Sequence, residues 1–257
     1  VLVGIAFTFS LPFVWMVLAA FKTPEELLRF SVFPENFSLE NFRTVIRSSL
    51  FLRWYLNSAV VAAAVTLSVL LFSSMAGFAI AKYRFRFRGM IFAAILSTMM
   101  IPVEMLVIPW YVLGQDLVNT YIGIALPGMV SAFGVFLIRQ SAKQIPHAIL
   151  ESARVDGAGE FRIFFRIALP ILKPSLASLG IFVFLGNWNA FLWPLIITNT
   201  AEMFTLPVGL QYYSGQHTNQ FHLIMAASTL TVLPVLAVFV LLQKHIIKGV
   251  TMSAIKS

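Results

Sequence analysis

The stretch ILESARVDGAGEFRIFFRIALPILKP, residues Ile149–Pro174, carries an unusual amount of charge between long apolar runs. Read as a helix, its first part has two faces. Ile149, Leu150 and Ala153 lie on the apolar face, with Glu151 and Arg154 opposite. Asp and Gly favour turns and helix ends, so Asp156-Gly157 predicts that this helix stops there, with a positive φ or tight packing at Gly157.

A second short helix is predicted after Gly159. Its apolar face comprises Phe161, Phe164 and Phe165, and its charged face Arg162 and Arg166. Pro170 suits the first turn of the apolar run that follows. The segment is predicted to be a helix–turn–helix with an apolar face and charged residues around it. It can lie on lipid headgroups, dock a partner protein, or pack its phenylalanines on this chain's own spans.

The composition is that of a membrane protein. Of 257 residues, 59% are hydrophobic and only 11% are charged, whereas a soluble domain carries about 25% charged residues. There is no cysteine, and the four histidines lack metal-binding spacing, so we predict no metal and no cofactor in this chain. Because the first residue is Val1 and not Met, we expect a short segment to precede it; no cleavable signal is legible.

Six apolar runs have about the 20 residues that a transmembrane helix needs. We predict an all-α polytopic membrane protein with six transmembrane helices and one transmembrane domain over residues 1–257. The predicted spans are about 1–21, 55–81, 90–113, 121–138, 171–197 and 223–242, and the helix–turn–helix between the fourth and fifth occupies 146–170.

Basic residues orient these spans. With a cytoplasmic N-terminus, the inner segments hold 13 of the 18 Lys and Arg residues and the outer segments hold 5. The positive-inside rule favours this topology, which places both termini and segment 146–170 in the cytoplasm. The net charge of +8 is thereby explained without nucleic-acid binding.

The external segments and one row of small residues complete the reading of the chain. We expect 22–53 to be a compact loop with a short helix near Leu39–Arg47, and 198–221 to be a connecting loop. In the second span, Ser73, Gly77 and Ala81 recur every four residues. Such a row permits close helix contact, and we predict packing within this chain and not a dimer seam.

Polar residues inside apolar runs are candidates for a solute path. Glu104 is the one acidic residue inside a predicted span, and buried charge in lipid is expensive, so we expect it to face a cavity or a partner, or to mark a kinked pivot between Pro102 and Pro109. Aromatic faces and amides also suit sugars, although helix–helix hydrogen bonding is the commoner use of intramembrane Asn. The residues concerned are Asn57, Asn187, Trp188 and Asn189.

The pattern of segment 146–170 resembles the EAA coupling loop of ABC importer permeases. The matching residues are Glu151-Ser152-Ala153, Asp156-Gly157-Ala158, Ile167, Leu169 and Pro170, with Ser152 in place of the usual first Ala. Further likeness covers nearly the whole chain and points to the shorter permease of maltose-type importers. It lies in Tyr55–Ser58, Met100–Pro102, Phe136–Gln140, Trp188–Leu195 and Lys248–Thr251, with Ala190 where that branch has an acidic residue.

This resemblance implies a set of partners in a bacterial or archaeal plasma membrane. They are a second permease subunit, two cytoplasmic ATPases that bind ATP and Mg²⁺, an external solute-binding protein, and membrane lipid. The chain itself has no G-x-x-x-x-G-K-[ST] phosphate loop, so we predict a transport subunit and not an enzyme.

The resemblance also assigns the coupling role to particular side chains, with Glu151 as the leading one because a carboxylate can pair with a basic residue across an interface. Its alternative is a local pair with Arg154. The set is Glu151, Ser152, Ala153, Asp156, Gly157, Ala158, Phe161, Phe164, Ile167, Leu169 and Pro170.

The transported solute is left open at this point. A sugar or oligosaccharide is the first expectation, and a different solute such as a glycerophosphodiester, an amino acid or an oligopeptide is the second. An ion-coupled secondary transporter is a third alternative, which Glu104 alone supports only thinly.

Overall fold

The computed structural model describes residues 2–29, 33–35, 37–48, 50–218 and 220–254. Across these residues the chain forms helices and connecting turns, with no strand. The α-helices are α1 (Leu2–Ala20), α2 (Pro24–Leu28), α3 (Glu40–Ser48), α4 (Phe51–Lys82), α5 (Arg88–Thr98), α6 (Val103–Leu113), α7 (Tyr121–Ala125), α8 (Ala132–Lys143), α9 (His147–Val155), α10 (Glu160–Ile163), α11 (Leu169–Trp188), α12 (Leu192–Ile197), α13 (Leu206–Gln216) and α14 (Phe221–Ala254).

Three stretches of helix in the described part of the chain are long and apolar enough to cross a membrane: Phe51–Lys82, Glu160–Trp188 and Phe221–Val240. Two bent helix pairs pass the same test if each counts as one span. They are α5 with α6, bent by 95°, and Tyr121–Gly128 with α8, bent by 47°. The all-α polytopic fold is confirmed. The count of six spans stays a prediction, because the described residues give three such helices, or five if each bent pair is one span.

The fifth predicted span differs most from its expected bounds. Its helix begins at Glu160, runs through a π-helical turn at Phe164–Ala168, and ends at Trp188. The side-chain amide of Asn189 donates to the carbonyl of Leu185 at 2.9 Å. The backbone N–H of Asn189 donates to the same carbonyl at 3.1 Å, so Asn189 closes the last turn of the helix twice, and α12 follows as a separate helix.

The single domain predicted for residues 1–257 contains two compact units. One comprises Val1–Ala59 and Ala190–Ala237, and the other Val60–Asn189 and Val238–Ser257.

The first unit is held together by polar side chains at the start of α4. The indole Nε1 of Trp54 donates to the carbonyl of Ala201 at 2.7 Å, and the Ser58 hydroxyl accepts from the backbone N–H of Leu206 at 2.7 Å. These bonds seat α13, a helix that the expectation of a plain connecting loop over 198–221 did not include. The short helix expected near Leu39–Arg47 is confirmed as α3.

The second unit is built on close contact of α4 with α8 and α11. A Cβ atom placed on Gly77 would lie 2.9 Å from the backbone N of Arg139, and one placed on Gly134 would overlap the Ser73 hydroxyl. The Ser141 and Ser175 hydroxyls, 2.7 Å apart, join α8 to α11. Packing of the small-residue row within this chain is therefore confirmed.

Candidate functional site

The first arm of segment 146–170 is the helix α9, which begins after Pro146 and ends at Val155. Leu150 and Ala153 are its buried residues, as the apolar periodicity predicts, while Ile149 is 41% exposed. Proline suits this position because it has no backbone N–H to leave unpaired at the start of a helix.

The turn after α9 depends on Gly157, whose φ is +80°. The backbone N–H of Gly157 donates to Arg154 O at 3.0 Å, and that of Ala158 donates to Ala153 O at 2.9 Å. These bonds close the last turn of α9 around a left-handed residue, the conformation in which glycine has no steric penalty. The positive φ predicted from Asp156-Gly157 is confirmed.

The second arm, α10, has no separate end, because it continues through the π-helical turn into α11. Phe161 is 73% exposed and Phe165 48% exposed, whereas Phe164 is buried and its ring centroid lies 5.5 Å from that of Phe78. The prediction that all three phenylalanines share one face is therefore wrong. Phe161 and Phe165, four positions apart, stay exposed, while Phe164 turns inward beside the buried Ile163.

The predicted coupling residues divide between an outer surface and the core. Ala153 and Phe164 are buried, and Ala158, Ile167 and Leu169 are half-buried. The exposed members are Glu151, Ser152, Asp156, Gly157, Phe161 and Pro170. Between them, exposed carboxylates, a hydroxyl and an aromatic ring form a polar-and-apolar surface suited to contact with another protein.

Arg154 does not pair with Glu151, the alternative considered for that carboxylate. Its guanidinium donates to both carboxylate oxygens of Glu160, through Nε at 2.7 Å and Nη2 at 3.2 Å. This hydrogen bond raises the pKa of Arg154. The ion pair spans the Gly157 turn and joins α9 to α10.

Two residues at the end of α4 contact the same segment. The Tyr83 hydroxyl donates to Glu160 Oε2, and the Lys82 ammonium donates to the carbonyl of Ile145. Burial, with the hydrogen bond to Glu160 as a further cause, raises the pKa of Tyr83 to about 12. The phenol therefore stays protonated and a donor at neutral pH.

Sequence reasoning did not assign a role to Lys82, Tyr83 or Glu160. The available signal was weak: a Lys-Tyr pair at the end of a predicted span, and an acidic residue two positions before Arg162. Only the fold brings residues 83 and 160 together.

The three Asn residues predicted for the solute path form hydrogen bonds within the protein. Asn57 is buried, and its amide donates to the carbonyls of Glu202 at 2.8 Å and Phe204 at 2.9 Å. Asn187 and Asn189 donate to carbonyls of their own helix. These bonds are hydrogen bonds within the protein, the commoner use of intramembrane Asn and the alternative to a role in the solute path.

The remaining two solute-path residues differ in exposure. Trp188 is 1% exposed and stacks on Phe184 with ring centroids 5.8 Å apart, while Glu104 is exposed in the first turn of α6. Among the described residues, no group of three or more His, Cys, Asp or Glu side chains is gathered to hold a metal ion.

A cavity of about 430 Å³ opens beside α8, α9 and α11. Its polar lining consists of amides and hydroxyls: Gln140, Ser141, Gln144, Ser175 and Ser178. The rest of its lining is aliphatic or proline, and no charged side chain of the described part of the chain lines it.

Comparison with known proteins gives consistent results. The family described as "Binding-protein-dependent transport system inner membrane component" matches residues 69–252. The arabinooligosaccharides transport system permease protein AraQ of Bacillus subtilis is 38% identical over 95% of this chain and 90% of its own length. The sn-glycerol-3-phosphate transport system permease protein UgpE of Brucella abortus is 34% identical, over 93% of this chain and 90% of its own length.

Two further matches extend this result. The lactose transport system permease protein LacG of Rhizobium radiobacter is 32% identical over 95% of this chain and 90% of its own length. Among solved structures, a chain of a bacterial ABC transporter involved in the import of the acidic polysaccharide alginate has a TM-score of 0.85. That match covers 95% of this chain and 93% of the other at 23% identity, and it indicates a shared fold.

Proposed function

This chain belongs to the family of binding-protein-dependent transport system inner membrane components, and on that premise we propose that its segment 146–170 docks a cytoplasmic ATPase. The chain is a permease subunit of an ABC importer and crosses the membrane several times. Membership of this family excludes the alternative of an ion-coupled secondary transporter.

The proposal includes the remaining partners and the orientation. A second permease completes the solute path, an external solute-binding protein delivers the solute, and the ATPases bind ATP and Mg²⁺. The 13-to-5 division of basic residues supports cytoplasmic termini and a cytoplasmic segment 146–170.

One observation carries the docking proposal: α9 and α10 meet at a fixed turn and present exposed side chains beside it. Val155 is 87% exposed and Phe161 73% exposed, with the exposed carboxylate of Glu151 on the same segment. Exposed apolar side chains rimmed by charge are typical of protein contact surfaces. The left-handed Gly157 and the Arg154–Glu160 ion pair at 2.7 Å fix the angle between the two arms.

We propose a neutral sugar or oligosaccharide as the transported solute. The relatives named for arabinooligosaccharides and lactose favour this class. A glycerophosphate-type solute is the second candidate, favoured by the relative named for sn-glycerol-3-phosphate. Identifying what co-purifies with the complex in mild detergent separates the two.

The docking proposal is tested with Gly157→Val. A side chain in the left-handed conformation costs roughly 1–2 kcal/mol, enough to change a docking equilibrium about tenfold. We expect ATP-driven transport in reconstituted vesicles, and recovery of the ATPase in pull-down, to fall by about that factor. Glu151→Lys should act in the same direction by placing like charge against a basic partner surface.

Gly159→Val is the matched control, because Gly159 has a φ of −68° and a Cβ there meets nothing within 4 Å. It should transport like the natural protein. If Gly157→Val and Glu151→Lys both keep the ATPase and full transport, segment 146–170 is not the docking site and the headgroup-lying loop becomes the better interpretation.

A further inference from the structure

The end of α4 holds the start of segment 146–170 through a buried ammonium. Lys82 is 8% exposed, and its Nζ donates to the carbonyl of Ile145 and, at 3.4 Å, to that of Lys143. Both carbonyls belong to the last turn of α8 and the connection to α9, where the helix leaves carbonyls unpaired and where a cation is favoured. The position at which segment 146–170 leaves α8 is thereby fixed to α4.

The adjacent residue holds the far side of the same segment. Glu160 accepts hydrogen bonds from the Tyr83 hydroxyl and from two nitrogens of Arg154. These three side chains stand on the end of α4, on α10 and on α9 respectively. Since charge-assisted and bidentate bonds are strongly directional, the arrangement fixes the orientation of both arms relative to α4.

Aromatic packing supports this arrangement from within. The Phe78 ring lies 5.8 Å from that of Tyr83 and 5.5 Å from that of Phe164, which places α4 against the start of the π-helical turn. A cavity of about 200 Å³ lies beside these rings, with Glu160 and Phe161 also in its lining.

We propose that Lys82, Tyr83, Arg154 and Glu160, here termed the clasp, make α4 and segment 146–170 move as one body during transport. The proposal rests on the docking function proposed above. Displacement of the segment by the ATPase is then delivered to α4, a helix of 32 residues that is long and apolar enough to cross a membrane. The four residues are positioning residues for energy coupling and do not touch the solute.

The solvent exposure of the Arg154–Glu160 ion pair favours a role in energy coupling over a role in folding stability. The side chains of Arg154 and Glu160 are 37% and 48% exposed. Exposed ion pairs contribute little to folding stability, because water screens them and ordering two long side chains is unfavourable. Loss of the Arg154–Glu160 ion pair is therefore expected to change how segment 146–170 moves with α4 more than it changes the stability of the fold.

The test measures ATP hydrolysed per solute imported by the complete transporter in proteoliposomes. Tyr83→Phe and Glu160→Gln each remove part of the clasp and are nearly isosteric. We expect each to raise the ATP-to-solute ratio about threefold. Tyr83→Phe leaves the Arg154–Glu160 ion pair in place, so it should also keep the natural recovery of the ATPase in pull-down. The double variant should be little worse than either single variant, because both remove one shared interaction.

Tyr212→Phe is the matched control, since it deletes the hydroxyl of an exposed phenol on α13, outside the clasp, and it should keep the natural ratio. A wild-type ratio in Tyr83→Phe and Glu160→Gln overturns the clasp. If Gly157→Val abolishes transport in the same preparations, the docking proposal stands while the clasp fails. If Gly157→Val and Glu151→Lys are neutral, the docking proposal fails first.

A crosslink gives a second, independent measurement. The chain contains no cysteine, so Tyr83→Cys with Glu160→Cys offers a short bis-methanethiosulfonate reagent only two sites in this subunit. The double-cysteine complex should show a raised ATP-to-solute ratio. The crosslinking reagent should return the ratio to its natural value, and reduction of the crosslink should raise it again. If the crosslinked complex keeps the raised ratio, the proposal is overturned. This measurement also decides the matter if Tyr83→Phe fails to assemble.

Discussion

At the scale of single residues, polar groups in the apolar run of α4 form specific bonds to the chain around them. Asn57 is fully buried, and an unpaired amide there would cost a few kcal/mol. Its two donor bonds to Glu202 and Phe204 remove that cost and fix the segment that leads to α13. Trp54 supports the same segment through its indole N–H, and its ring packs on Gly209.

Gly209→Ala is expected to destabilise the protein. A Cβ at this position would overlap the Trp54 ring, and overpacking of this kind costs about 1–3 kcal/mol. The measurement is thermal unfolding of the detergent-solubilised protein, followed by tryptophan fluorescence. Gly215→Ala on the same helix is the control, because a Cβ at 215 meets nothing within 4 Å. Equal melting temperatures for the two variants would contradict the packing described for Trp54.

At the scale of helices, the third apolar run is a bent pair and not a straight rod. The break at 99–102 turns the chain by 95° between α5 and α6. Pro102 disfavours helical geometry in the residue before it and itself lies at the N-cap of α6. The bend therefore lies at residues 99–102, whereas the pivot was expected between Pro102 and Pro109. Pro109 lies inside α6.

The bend places Glu104 in the first turn of α6, where a carboxylate is favoured by the helix dipole. We propose that Glu104 also faces the solute path, because charge exposed to lipid is costly. Glu104→Gln should then lower solute transport about tenfold, the effect of a lost hydrogen bond to a charged group, with assembly intact. Transport of radiolabelled solute into vesicles is the measurement.

Glu25→Gln is the matched control for this change, since Glu25 is likewise an exposed carboxylate in the first turn of a helix. It should leave transport unchanged. If Glu104→Leu also matches the natural protein in transport and ATPase stimulation, Glu104 is a tolerated surface group.

At the scale of the whole molecule, the distribution of charge predicts how the chain is inserted. Basic residues are concentrated in the segments assigned to the cytoplasm, among them the loop 83–87 and segment 146–170. The negative surface potential of the cytoplasmic leaflet attracts such residues, and translocating them across the membrane is unfavourable.

Introduced cysteines test this orientation, because the chain has none of its own. In intact cells, a membrane-impermeant maleimide should label Thr218→Cys and leave Arg86→Cys and Ser257→Cys unlabelled. All three should react after the cells are permeabilised. Labelling of Arg86→Cys in intact cells would reverse the proposed topology.

The sequence by itself determined the membrane environment, the helical fold class and the turn of segment 146–170. These features follow from local rules: apolar run length, charge content, and the preference of Asp156-Gly157 for a helix end with positive φ. The family resemblance rested on the same local pattern, and it is confirmed.

Only the tertiary structure decided which polar residues meet across the fold. Tyr83 and Glu160 are 77 positions apart, and Trp54 and Ala201 are 147 apart. No periodicity links such pairs, because their contact depends on how α4 packs with the elements that follow it. The same dependence explains the phenylalanines of the second arm: packing against Phe78 buries Phe164 and leaves Phe161 exposed, a distinction that residue type alone cannot make.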